Sequence, residues 1–162
     1  MNVIFHTSVA VGITALLVKE NREIFKPCLL AFSVGIIFHG ILDYTPHCYP
    51  LNSKLDVISS VVIIGLLMWK INKDNRFILL SSFIGSIFPD LIDLSTGIVN
   101  KLFSFNLPVY DKIFPWHWKQ YSGSIYNGDC NVSSLNHLMI IFVVALICYY
   151  KRLDLYKGIS AN

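Results

Sequence analysis

The sequence predicts an all-α fold: one integral membrane bundle of about five transmembrane helices, with a long outer loop between the fourth and the fifth. Three observations predict it. The 162-residue chain is 54% hydrophobic and 14% charged, whereas soluble domains carry about 25% charged residues, and its mean hydropathy is +0.58. Its apolar residues gather in five runs, 2–18, 27–43, 55–71, 77–94 and 135–150, each near the ~20 residues that cross a bilayer core. Lys and Arg collect at alternate ends of those runs, the pattern by which short loops set orientation.

The first run, "NVIFHTSVAVGITALLV", lacks a basic leader and a small-residue cleavage site, so it is expected as a retained helix and not a signal peptide. "KENREIFK" follows, with Lys19, Arg22 and Lys26. The second run ends in "FHGILDYTPH", where Pro46 stops the helix because the residue before a proline avoids the α region. The third, "VISSVVIIGLLMW", carries Asp56 near its start and reads as scaffold, and Lys70, Lys73 and Arg76 follow it. In the fourth, "FILLSSFIGSIFPDLID", Pro89 removes a backbone hydrogen bond and is expected to kink the helix and open a polar pocket before Asp90.

The loop 95–133 is too long for a plain connector and is expected to form a lid or an interfacial subdomain. The fifth run opens behind "NVSS", with Ser133 or Ser134 as a candidate cap. The tail holds Lys151, Arg152 and Lys157. This alternation predicts the N-terminus outside and the C-terminus in the cytoplasm. The net charge of +3 is then a topological signal. No basic patch interleaved with exposed aromatics points to nucleic acid, and the expected partner is the lipid bilayer.

On that topology all five histidines, His6, His39, His47, His117 and His137, fall on the outer side. His39 and Asp43, four apart, share a helix face, as do Asp90 and Asp93, three apart. These carboxylates sit at helix C-termini, where the macrodipole disfavours anions, and ionisable groups so near hydrocarbon are costly unless paired or functional. No Lys or Arg in these helix ends neutralises them; a bound cation would. His137, at a helix N-terminus, is favoured in its neutral form, the form that ligates metal. Each member also has a plainer explanation. His39 with Asp43 fits an interfacial hydrogen-bonded pair, Asp90 with Asp93 a solvated helix end, and His6 an interfacial residue near a terminus. His117, in "PWHWKQY", fits an aromatic belt with Trp116, Trp118 and Tyr121.

Other chemistries find less support. The four cysteines show no CxxC spacing. Cys48 and Cys130 both map outside, where a disulfide could form, while Cys28 and Cys148 map to membrane segments near the inside. There is no phosphate-cradling glycine loop and no GxSxG elbow. Asn131 heads an "NVS" sequon that matters only on a eukaryotic secretory route.

"HGILDYTPHCYPL" resembles the H-x-x-x-D-x-x-T-P segment of the YdjM-type bacterial membrane-bound metal-dependent hydrolases; "GSIFPDLIDL" resembles their G-x-x-x-P-D-x-D segment, and "HTSVAVGI" their opening histidine. The order of the two segments is reversed here, and "PDLID" is one residue longer. The family is distantly similar to zinc-dependent phospholipase C and P1-type nucleases. The resemblance implies metal roles for His6, His39, Asp43, Asp90 and His137, with Asp93 beside them. Asp93 is then the expected general base, with His47 and His117 as supporting or substrate-binding residues.

Together these point to a metal-dependent hydrolase, with zinc the expected ion, acting at the outer surface on a phosphoester or lipid-linked substrate. A non-catalytic metal-binding or transport-related membrane protein is the alternative. A helical interaction protein without metal is a third.

Overall fold

The computed structural model describes residues 1–18 and 23–160. Lys19 and Arg22, which enter the orientation argument, lie outside the described residues. The described chain is all-helical: α1 Val3–Leu17, α2 Phe25–Tyr44, α3 Ser53–Lys70, α4 Lys73–Asp93, α5 Ser95–Phe103, α6 Asn131–Tyr150 and α7 Arg152–Ser160, with one 3-10 turn at Pro115–His117. Three of these, α2, α4 and α6, are long and apolar enough to cross a membrane. At 15 residues α1 is apolar but shorter, about 22 Å. Lys54, Asp56 and Lys70 interrupt the apolar character of α3.

Small residues decide how the bundle packs. Ala31, Gly35, His39 and Asp43 recur every fourth position along α2, and so form one stripe. That stripe lies against Ser82, Gly85 and Ser86 of α4. A Cβ on Gly35 would meet the Ser86 nitrogen at 2.8 Å, and one on Gly85 would meet the Phe32 carbonyl oxygen at 2.2 Å. Only glycine allows the two backbones this close, as at small-residue interfaces between membrane helices. The contact fixes the register that sets the polar ends of α2 and α4 side by side.

The next helix, α1, packs on both, and Ser82 donates a hydrogen bond to the Ala10 carbonyl at 3.0 Å. Its N-terminus is capped from α3. Asp56 accepts from the amides of Val3 (2.7 Å) and Ile4 (2.9 Å) and from Asn2 Nδ2 (3.0 Å). An anion at a helix N-terminus satisfies orphan donors and the macrodipole together. Asp56 is therefore an anchor between α3 and α1. α6 packs mainly on α1.

Asn52 and Asn72 cap α3 and α4, each accepting from the amide three residues on at 3.0 Å. α6 begins four residues before the expected 135. Ser133 is no cap; it lies inside the helix, where its hydroxyl accepts from the Cys48 amide at 2.7 Å.

The segment between α4 and α6 is built and not loose. α5 runs from Ser95 to Phe103 and ends at Ser104, which takes φ of 54°. Residues 121–125 are stapled to the end of α2: Gly123 donates to the Asp43 carbonyl and accepts from His47, each at 2.8 Å. Cys48 and Cys130 form a disulfide that ties the end of α2 to the start of α6.

Candidate metal centre

Four side chains from three places in the chain meet at one end of the bundle. His39 and Asp43 come from the α2 stripe, Asp90 from the last turn of α4, and His117 from the 3-10 turn. One ligand atom from each lies within 4.8 Å of every other. His39 Nε2 is 3.3 Å from Asp43 Oδ2, 3.6 Å from Asp90 Oδ1 and 3.3 Å from His117 Nε2. His117 Nε2 is 3.4 Å from Asp43 Oδ2 and 3.2 Å from Asp90 Oδ1. Four ligands about 2.0–2.1 Å from one tetrahedral ion stand about 3.3–3.4 Å apart. Five of the six separations fall close to that value.

The outward atoms fit the same geometry. His39 Nδ1 lies 2.6 Å from the Ser86 carbonyl oxygen, which can only accept, so Nδ1 carries the hydrogen and Nε2 faces the centre. His117 Nδ1 donates in the same way to Asp93 Oδ2 at 2.8 Å. Metal-bound histidines are held in this manner, the far nitrogen donating to a carbonyl or carboxylate. The centre thus gathers acceptors and supplies almost no donors. Burial opposes charge on His117, but hydrogen bonds to Asp43, Asp90 and Asp93 outweigh it and push the imidazole up to about 9. The cluster demands a cation, and a metal ion or a proton can meet that demand.

Asp93, expected as a general base, occupies a different place. Its Oδ1 accepts from the Ile113 amide at 2.9 Å, and its Oδ2 from the Phe114 amide at 3.0 Å and from His117. With both oxygens occupied it positions His117 and fastens the lid to α4. Trp116 completes the closure. Its ring lies on Gly40, where a Cβ would meet Trp116 Cε3 at 2.8 Å.

The other expected ligands are placed less directly. His6 is fully buried, stacks on His39 with ring centroids 4.2 Å apart, and brings Nε2 to 3.3 Å from Asp43 Oδ1. Its Nδ1 has no hydrogen-bond partner among the described residues, while its Nε2 faces the Asp43 carboxylate. The Met1 amino group also contacts Asp43 Oδ1. His137 stands outside the four-residue group: its ring stacks on Phe5 with centroids 4.0 Å apart, and its Nε2 is buried without a partner among the described residues. α6 meets α1 through that stack.

His47 belongs to a separate network. Its Nδ1 donates to the Thr45 carbonyl at 2.7 Å, and its Nε2 lies 3.2 Å from both Tyr49 Oη and Ser124 Oγ. His117, read from sequence as a belt or supporting residue, is the one that enters the centre. It comes from an irregular segment with no helical spacing to betray it. The available signals were the length of its loop and Pro115, which starts the turn that aims it inward.

Comparison with family models, with curated proteins and with solved structures finds no match. The class that the fold and the site define is an all-helical protein with three helices suited to a membrane and a buried His/Asp group able to hold a metal ion.

Proposed function

We propose that the protein is a membrane-embedded, metal-dependent hydrolase acting on a phosphoester carried by a lipid or lipid-linked molecule at the outer membrane surface. The observation that carries this proposal is the convergence of two imidazole nitrogens and two carboxylate oxygens at near-tetrahedral spacing, with one member still reaching solvent. The Asp90 side chain is 24% exposed, against 0–9% for His39, Asp43 and His117. A donor set of nitrogen and oxygen without sulfur, at this spacing, favours zinc. α1 and α3 join α2, α4 and α6 as spans, with the N-terminus outside, because Lys70, Lys73 and the basic tail gather at the end opposite the centre.

A divalent ion there would supply Lewis-acid charge to an ester oxygen and bring water toward a neutral pKa. The chain's own residues supply the rest. Asp90, the ligand at the open edge, leaves that side of the centre to the attacking water. Asp93 holds His117 in one tautomer. Trp116 and Phe114 stack with centroids 5.1 Å apart and wall the centre from bulk solvent. Hydrolysis of a phospholipid phosphoester in vesicles, followed after chelation and after zinc is restored, tests the proposal. Activity should vanish and return, and Asp90→Asn, which removes a ligand carboxylate, should lose zinc and activity together. The depth of the centre, with His39 fully buried, favours a structural metal as the second reading. A zinc-loaded protein inert toward phosphoesters would leave that reading standing.

A further inference from the structure

The helices α2 and α6 do not close on one another. Between them runs a cleft of about 440 Å³, floored by Val9 and Ile13 of α1 and walled by Val34 and Phe38 of α2 and by Met139 and Val143 of α6. We propose that this cleft is a lipid site, which holds one hydrocarbon chain of a membrane phospholipid. It rests on α2 and α6 being membrane spans and does not depend on hydrolysis.

Its dimensions choose the occupant. Along α2 the cleft runs from Leu30 to Thr45, about 22 Å at 1.5 Å per residue, so its whole empty space of about 1170 Å³ leaves a bore of at most about 53 Å². An α-helix with its side chains is about 10–12 Å across and needs roughly 80 Å² or more. A second copy of this chain cannot seat a helix there, whereas a single alkyl chain fits. The lining is apolar along its length, and its polar side chains, Thr45 and Asn136, lie together at the end nearer the metal centre. That places the headgroup of a seated lipid at the outer mouth and its tail at hydrocarbon depth, where the solvent is itself acyl chain.

The cleft is separate from the metal centre. Met1, Phe5 and Leu42 pack together beside it. Leu42 lines the cleft on one face of the last turns of α2, while Asp43 turns to the other. A lipid seated here braces the turn that presents Asp43 without approaching the ligand atoms.

Photolabelling tests the site. The protein is reconstituted into phosphatidylethanolamine and phosphatidylglycerol vesicles with a phosphatidylglycerol that carries a diazirine midway along one acyl chain. Cross-links should concentrate on Val34, Met139 and Val143. Val143→Trp, at a position 47% exposed, should lower them about fivefold or more, since a bulky ring fills the bore. Ile141→Trp, on the same helix but outside the lining, should leave them unchanged. Labels spread evenly over Leu138, Ile141 and Phe142 would overturn the proposal even if Val143→Trp failed to fold, because that pattern is read on the wild-type protein. So would a Val143→Cys protein that links to a second chain through α6. Even labelling beside intact metal-dependent hydrolysis sinks the lipid site alone; concentrated labelling without hydrolysis sinks the enzymatic proposal alone.

Discussion

Two buried imidazole clusters lie at the same end of this bundle, one around His117 and one around His47, and they differ in what faces the ring. Both histidines donate Nδ1–H to a fixed acceptor, Asp93 in one case and the Thr45 carbonyl in the other. Across from His47 Nε2 stand two hydroxyls, Tyr49 and Ser124, themselves 2.7 Å apart. Hydroxyls can donate, so the network closes on itself. Across from His117 Nε2 stand two carboxylates and a second imidazole nitrogen, none of which offers a proton when His39 is neutral. Burial opposes charge in both places. It pushes His47 down to about 4, while the carboxylates lift His117 to about 9. A buried histidine marks a cation site only when its lone pair meets other lone pairs.

The comparison can be broken most severely at Gly85. A Gly85→Leu side chain meets the backbone of Phe32, which cannot move aside as a side chain would. The cost should exceed the ~1–3 kcal/mol of ordinary overpacking and separate α2 from α4. Size-exclusion behaviour in detergent and metal content should both collapse; a protein with wild-type melting would show that the close approach does not set the centre.

Asp93→Asn sharpens the distinction between positioning and proton transfer. Loss of the carboxylate behind His117 should weaken metal binding about 10–100-fold and leave the fold intact. Unchanged affinity with abolished turnover would return Asp93 to the role of base.

His47→Phe separates the two clusters. Metal affinity should stay at the wild-type level. Thermal unfolding should reveal a loss of about 1 kcal/mol, because the half-buried Thr45 carbonyl loses its donor. Comparable loss of metal would erase the difference between the networks.

The smallest effect is a pH dependence. The folded value of His47 lies below its ordinary 6.5, so the neutral ring's contribution is present above about 6.5 and is lost as pH falls toward about 4. Wild-type stability should fall more steeply over that window than that of His47→Phe, as read from melting curves; parallel slopes would contradict it.

Part of this arrangement was legible in the sequence. The four-residue spacing of Ala31, Gly35, His39 and Asp43 carries both the close helix contact and two members of the centre, and the Pro-Asp pair at the end of α4 carries a third. Spacing along one helix failed where the partner lay elsewhere. Asp90 and Asp93 sit three apart, yet one faces the centre and the other the back of His117, a loop residue that periodicity cannot place. His137 followed the expected helix and then turned to Phe5, because the packing of α6 on α1 sets its direction. Helix ends moved by a few residues where polar side chains found partners inside the helix, as Ser133 did with Cys48. α5 and α7 escaped notice because each is only nine residues long.

The central claim is that His39, Asp43, Asp90 and His117 hold a metal ion together. Elemental analysis of detergent-purified wild-type protein beside His39→Ala and Asp90→Ala tests it most directly. The geometry predicts about one tightly held ion per chain in the wild type, because four donors converge on it, and almost none in either variant. Equal metal content in all three proteins would contradict it.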